Sequence, residues 1–216
     1  MLFHLVKKDL ILAKKYLLVM LIFAIVAPIF INSKLGLSNG SFISFLITVL
    51  FVEYILFNMI SLQEDKYRGS ALLCITPHTR NGVIKAKYVF ILVIFIACFL
   101  LYNLAAAIGA SYGLTRLSIY SVGVALLIIS IFFGLLIPVQ TKFGYEKTKY
   151  IFFITVFLTP FILPTIIEWY KSIDININFN LPIPQSIKVW VPFVIAVLIA
   201  SISMVISIRI FSKKNL

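Results

Sequence analysis

Residues 42–62 read FISFLITVLFVEYILFNMISL. Apart from Glu53 this stretch carries no charge, and it contains neither proline nor glycine. A helix crossing the roughly 30 Å hydrocarbon core of a bilayer needs about 20 mainly apolar residues, so the segment reads as a transmembrane span. Turn and charge signals bound it, Ser38-Asn39-Gly40-Ser41 before and Gln63-Glu64-Asp65-Lys66 after. Working outward, five further segments of this kind appear, at about 17–31, 88–112, 119–139, 150–167 and 189–211. The first reaches span length only by borrowing from the amphipathic stretch before it. Period-two alternation is absent from these runs, which excludes a β-barrel, and no internal repeat is visible. The reading is an all-α integral membrane protein with one transmembrane domain, 1–216, and six spans.

Composition agrees. Of the 216 residues 62% are hydrophobic and 12% charged, and the mean hydropathy is +1.11. Soluble domains carry about 25% charged residues. A soluble enzyme or a nucleic-acid-binding module is therefore excluded as the whole protein. Two cysteines, Cys74 and Cys98, offer at most one disulfide and no metal-type spacing.

The net charge of +12 is explained by its distribution. Fifteen of the nineteen Lys and Arg residues fall in the N-terminal segment, the 63–87 loop, the 140–149 loop and the C-terminal tail. Lys34, Arg116, Lys171 and Lys188 make up the alternate set. Cytoplasmic loops of membrane proteins carry the basic excess. The expected arrangement is thus a multi-pass protein of the cell membrane with both termini cytoplasmic, its basic residues facing anionic lipid rather than nucleic acid.

Residues 1–16 stand apart. Phe3, Val6, Leu10 and Ala13 recur at helical spacing, while Lys7/Lys8 and Lys14/Lys15 repeat at seven on another face. This pattern predicts an amphipathic helix lying in the interface before the chain turns into the membrane. A signal peptide would also combine basic residues with an apolar run, but no convincing small-residue cleavage site precedes Pro28.

Catalytic signatures are missing. The chain has two histidines, His4 and His78, no H-E-x-x-H, no G-x-S-x-G and no G-x-x-x-x-G-K-[ST]. Cys74 and His78, four apart beside Pro77, lack the company a metal site needs. The expectation is a non-enzyme without metal or cofactor, any ATP and Mg being handled by another polypeptide.

Glu53 is the carboxylate inside a span, about ten residues from either end. An ionisable group at mid-bilayer is costly; it must be neutralised, paired or solvated. Tyr54, Asn58, Ser61 and Asp65 form a polar stripe one position away. Lining of a substrate path and a packing role for a protonated or hydrogen-bonded glutamate are both open. Elsewhere, Ala105, Gly109 and Gly113 lie four apart, a face for close helix approach within the chain or in a dimer. Pro160 and Pro164 are expected to kink or break the fifth span. Ile167 to Lys188 reads as a re-entrant or interfacial stretch with aromatic anchors.

The loop 63–87 is the most specific region. Glu64 to Ile75 is expected to form a short amphipathic helix that Pro77 stops, and Thr79 to cap a helix entering the third span. The stretch EDKYRGSALLCITPHTRNGVIKAKY (64–88) resembles the cytoplasmic loop of ABC-2 type transporter permeases. There an acidic residue ends the second span, a Leu…Pro-x-Thr/Ser-Arg turn follows, and an Ala-Lys-Tyr-like sequence opens the third.

That resemblance implies an ABC-2 (type V) exporter-like fold and a mechanism. Two copies of the chain would pair with two copies of a separate ABC ATPase, whose closure on ATP moves the spans through coupling helices. Glu64, Asp65, Tyr67, Arg68, Leu72, Pro77, Thr79 and Arg80 would form the main coupling region, and Lys142 and Glu146 of the 140–149 loop the second contact. Glu53, Tyr54, Asn58, Pro160 and Pro164 would bound the translocation path. Small size and lack of soluble domains are similar to exporters of amphipathic peptides such as phenol-soluble modulins or bacteriocins, which implies a peptide or lipid-like substrate. Two rivals remain: an ion-coupled secondary carrier or channel using Glu53, and a non-transporting membrane immunity or anchor protein.

Overall fold

The computed structural model describes residues 2–35, 40–67, 80–109, 114–172 and 185–212. They form helices α1 (Leu2–Leu35), α2 (Gly40–Lys66), α3 (Arg80–Ile108), α4 (Ile119–Phe143), α5 (Tyr145–Ser172) and α6 (Gln185–Ser212). Five stretches among the described residues are long and apolar enough to cross a membrane: Phe3–Ser33, Gly40–Lys66, Asn81–Ile108, Ile119–Phe143 and Ile187–Ser212. The remaining apolar segment, 150–167, lies within α5.

α2 is the centre of the bundle. It packs against α1, α3, α4 and α5, while α6 lies on α4 and α3. Lipid tails are as apolar as leucine, so close packing and interhelical hydrogen bonds hold such helices together rather than water exclusion. Aromatic rings interlock across α2 at two levels. Phe45 meets Phe95 and Tyr102 of α3 edge-on, with centroids 6.0 and 5.1 Å apart. Nearer the other end, Phe57 meets Phe133 of α4 at 5.6 Å, and Tyr54 meets Phe132 at 6.4 Å. Each such pair contributes about 1 kcal/mol beyond area burial.

Polar ties fix the helix ends. Tyr102 donates to the Ser41 and Thr115 carbonyls, both at 3.1 Å, joining α3 to the start of α2 and to the residues before α4. Ser118 caps α4, accepting from the Ser121 amide at 3.1 Å. On the flank, Tyr88 of α3 reaches the Ser203 and Ser207 hydroxyls of α6 at 2.7 and 3.1 Å. Ser203 in turn donates to the Gly134 carbonyl of α4 at 2.6 Å.

Several expectations change. The first sixteen residues are not set off from the first span; residues 2–35 are one unbroken helix. Leu5, Val6, Asp9 and Ala13 are buried, with Leu5 and Val6 packed on Ala86 of α3, whereas Phe3 is 82% exposed. Lys7, Lys14 and Lys15 do face outward, but Lys8 turns in. At about 1.5 Å per residue this 34-residue helix exceeds the hydrocarbon thickness by some 20 Å.

The 140–149 loop is likewise a near-continuation of helix. α4 runs to Phe143 and α5 starts at Tyr145, so Lys142 and Glu146 occupy helical turns on either side of Gly144. Gly144 makes the break with φ +87°, a conformation that glycine adopts without a steric cost. Pro160 and Pro164 do not break α5, which continues to Ser172. Threonine hydroxyls supplement the backbone ladder there, Thr159 bonding Thr155 O and Thr165 bonding Phe161 O. Of the stretch from Ile167 to Lys188 expected to be irregular, 167–172 and 185–188 are helical, and 173–184 lie outside the described residues.

Candidate functional site at the C-terminal end of α2

The last turn of α2 gathers most of the buried charge. Glu64 and Asp65 belong to this turn rather than to a separate short helix, and the Tyr67 amide still bonds Gln63 O at 3.1 Å. A carboxylate at a helix C-terminus opposes the dipole. Glu64 is instead held by two lysines from other helices: Lys87 of α3 lies 2.7 Å from Oε2 and Lys8 of α1 lies 3.1 Å from Oε1. Lys8 also sits 3.0 Å from Asp9 Oδ1, an ion pair without hydrogen-bond geometry. Gln63 adds a donor bond to Leu12 O at 3.3 Å. Three helices are thereby clamped at one level.

Beside the clamp opens a cleft of about 90 Å³, lined by Ser61, Glu64, Asp65, Lys87, Gln140 and Tyr145 among others. Ser61 donates to Gln140 Oε1 at 3.3 Å, tying α2 to α4. Burial pushes the Tyr145 phenol at this cleft above the ordinary range. Asp65, Lys66 and Tyr67 are exposed, Tyr67 by 64%. They present an outward charged and aromatic edge where the chain leaves the bundle.

The expected site residues divide accordingly. Glu64 faces inward as the hub of the clamp, while Asp65 and Tyr67 face outward. Arg68, Leu72, Pro77 and Thr79 lie outside the described residues. Arg80 opens α3, and its side chain also lies outside the description. Lys142 and Glu146 are helical, as given above. On the proposed path, Tyr54 donates to Lys149 O of α5 at 3.1 Å, and with Asn58 it lines a small gap against Thr148 and Lys149. Glu53 is elsewhere: it is 1% exposed and feels the Cys98 thiol of α3. Glu53 and the Tyr54–Asn58 pair therefore have different neighbours.

Asp9 and Gln140 were not singled out from sequence, and Lys8 and Lys87 only as basic residues near the membrane surface, not as partners of Glu64. A Lys-Asp pair interrupting the apolar positions of residues 3–13 was the available signal, because an acid on a cationic face calls for a partner. At Gly109 a Cβ would sit 3.2 Å from Ile29 of α1, so this position of the small-residue face packs closely within the chain. Gly113 lies outside the described residues. Among the described residues no group of His, Cys, Asp and Glu side chains gathers to hold a metal.

The bundle of long apolar helices, closed at one end by paired charges, defines a multi-pass helical membrane protein of the permease class. Residues 4–212 match the family described as ABC-2 family transporter protein, and the chain belongs to it. Comparison with curated proteins and with solved structures gave no match. The chain is thus a membrane permease of an ABC transporter, and its family implies an ABC ATPase partner and a lipid surround.

Proposed function

We propose that the chain is the transmembrane subunit of an ATP-driven exporter, two copies working with two copies of a separate ATPase. Its substrate is an amphipathic or hydrophobic peptide, or a lipid-like molecule, moved out of the cytoplasm. The supporting observation is the division of labour at the end of α2. Glu64 locks α1, α2 and α3 together, while the adjacent Asp65, Lys66 and Tyr67 stay exposed beside the loop that leads to α3. A force applied at that exposed edge would pass into three helices at once.

In this reading α5 supplies the sixth span, both termini are cytoplasmic, and ATP hydrolysis belongs to the partner, since the chain has no P-loop. The test is co-purification with the ATPase, followed by reconstitution in proteoliposomes with ATP and ion gradients varied separately. ATP-dependent efflux that needs both subunits supports the reading. Gradient-driven transport by the isolated chain would overturn it and restore the ion-coupled carrier.

A further inference from the structure

Glu53 plays no part in the clamp. It sits in the middle of α2, 1% exposed, and neither carboxyl oxygen meets a hydrogen-bond donor of the protein. On its own helix Val49, Val52, Leu56 and Phe57 are buried in the apolar core. The ionisable side chain that feels it is the Cys98 thiol of α3. Every other carboxylate with a described side chain has either a lysine partner or an outward position. Glu64 and Asp9 are ion-paired, and Asp65 and Glu146 are exposed.

An ionised carboxylate enclosed without a partner in an apolar interior costs far more than any single contact returns, and such a group takes up a proton instead. We propose that Glu53 is a proton-binding site, a neutral carboxylic acid at physiological pH in this packed arrangement of α2 and α3. In that form it is a hydrogen-bond donor held inside the bundle, not a counter-ion. A cation-coupled carrier would require the charged form. This inference depends on the burial and missing partners of one side chain, not on ATP-driven export, so either can fail without the other.

Infrared spectroscopy of the full-length protein in lipid at neutral pH tests it. A neutral carboxylic acid has its own carbonyl stretch, well separated from that of a carboxylate and moved by exchange into heavy water. Wild-type protein should show this band, carboxyl-¹³C-glutamate labelling should shift it, and Glu53→Gln should abolish it. The label excludes aspartates, Asp9 included, and needs no mutation, so the test holds even where Glu53→Gln fails to fold. Absence of any label-shifted band in the wild type would show a hydrated or otherwise ionised Glu53 and overturn the proposal. So would a band that persists in folded Glu53→Gln.

Discussion

Glu64 and Asp65 are adjacent carboxylates with opposite duties. Removing the Glu64 charge leaves Lys87 without its counter-ion and Lys8 with Asp9 alone. Breaking a largely buried pair by deleting one partner costs on the order of 3 kcal/mol. Glu64→Gln should therefore lower the melting temperature in detergent clearly, with or without the ATPase. A wild-type melting curve for this variant would show the clamp to be idle. Asp65→Lys changes an exposed position and should alter stability by no more than about 0.5 kcal/mol. It should nonetheless weaken co-purification with the ATPase or uncouple hydrolysis from transport; normal assembly and transport would remove this edge from the contact. The sequence marks both acids as the end of the second span. Which of two neighbours turns inward is decided by lysines on other helices, one of them 56 positions away, and no local pattern carries that information.

At the scale of helices, the most extensive contact is between α4 and α6. A Cβ added at Gly123 would lie 2.7 Å from the Phe193 ring and 3.2 Å from Pro192, whereas at Gly134 its nearest neighbour would be Ser203 Cβ at 3.5 Å. Overpacking a close contact costs about 1–3 kcal/mol. Gly123→Ala should thus destabilise the detergent-solubilised protein, and Gly134→Ala should leave its melting temperature nearly unchanged. Equal effects of the two would mean the α4–α6 spacing is not set at Gly123. Ser203→Ala should cost about 0.6 kcal/mol through loss of the Tyr88 and Gly134 bonds, a small shift in the same assay. Helix existence was legible throughout because apolar runs of span length are hard to mistake. Boundaries were less so. The basic residues before Tyr16 suggested a separate helix, yet one helix runs from residue 2 to 35, through Pro28, and buried Leu5, Val6 and Asp9 dock the early turns on the bundle. Prolines in α5 suggested a kink or break, and the helix runs on through both to Ser172. Gly123, flanked by Val122 and Val124, has no small-residue repeat to announce it.

For the whole molecule the decisive quantity is which ends face the cytoplasm. Six helices with alternating direction would put the Lys8–Glu64–Lys87 clamp, the Gly144 turn and the end of α6 on one side, and the Tyr102–Ser41–Thr115 ties on the other. The cleft supports this grouping, since Glu64, Lys87, Gly144 and Phe211 line it together. The sequence segments expected on that side carry fifteen of the nineteen basic residues, and by the charge bias of membrane insertion the prediction is that it faces the cytoplasm. With Cys74 and Cys98 replaced by serine, single cysteines at Leu37 and Asn176 should react with an impermeant maleimide in intact cells. Cysteines at Lys66 and Glu146 should react only after permeabilisation. The pair at 146 and 176 is the sharper half of the test, because these positions flank α5 and their opposite accessibility requires that helix to cross. External labelling at 66 would invert the clamp and remove the ATPase contact from it. Labelling of 146 and 176 from the same side would leave five spans and place one terminus outside.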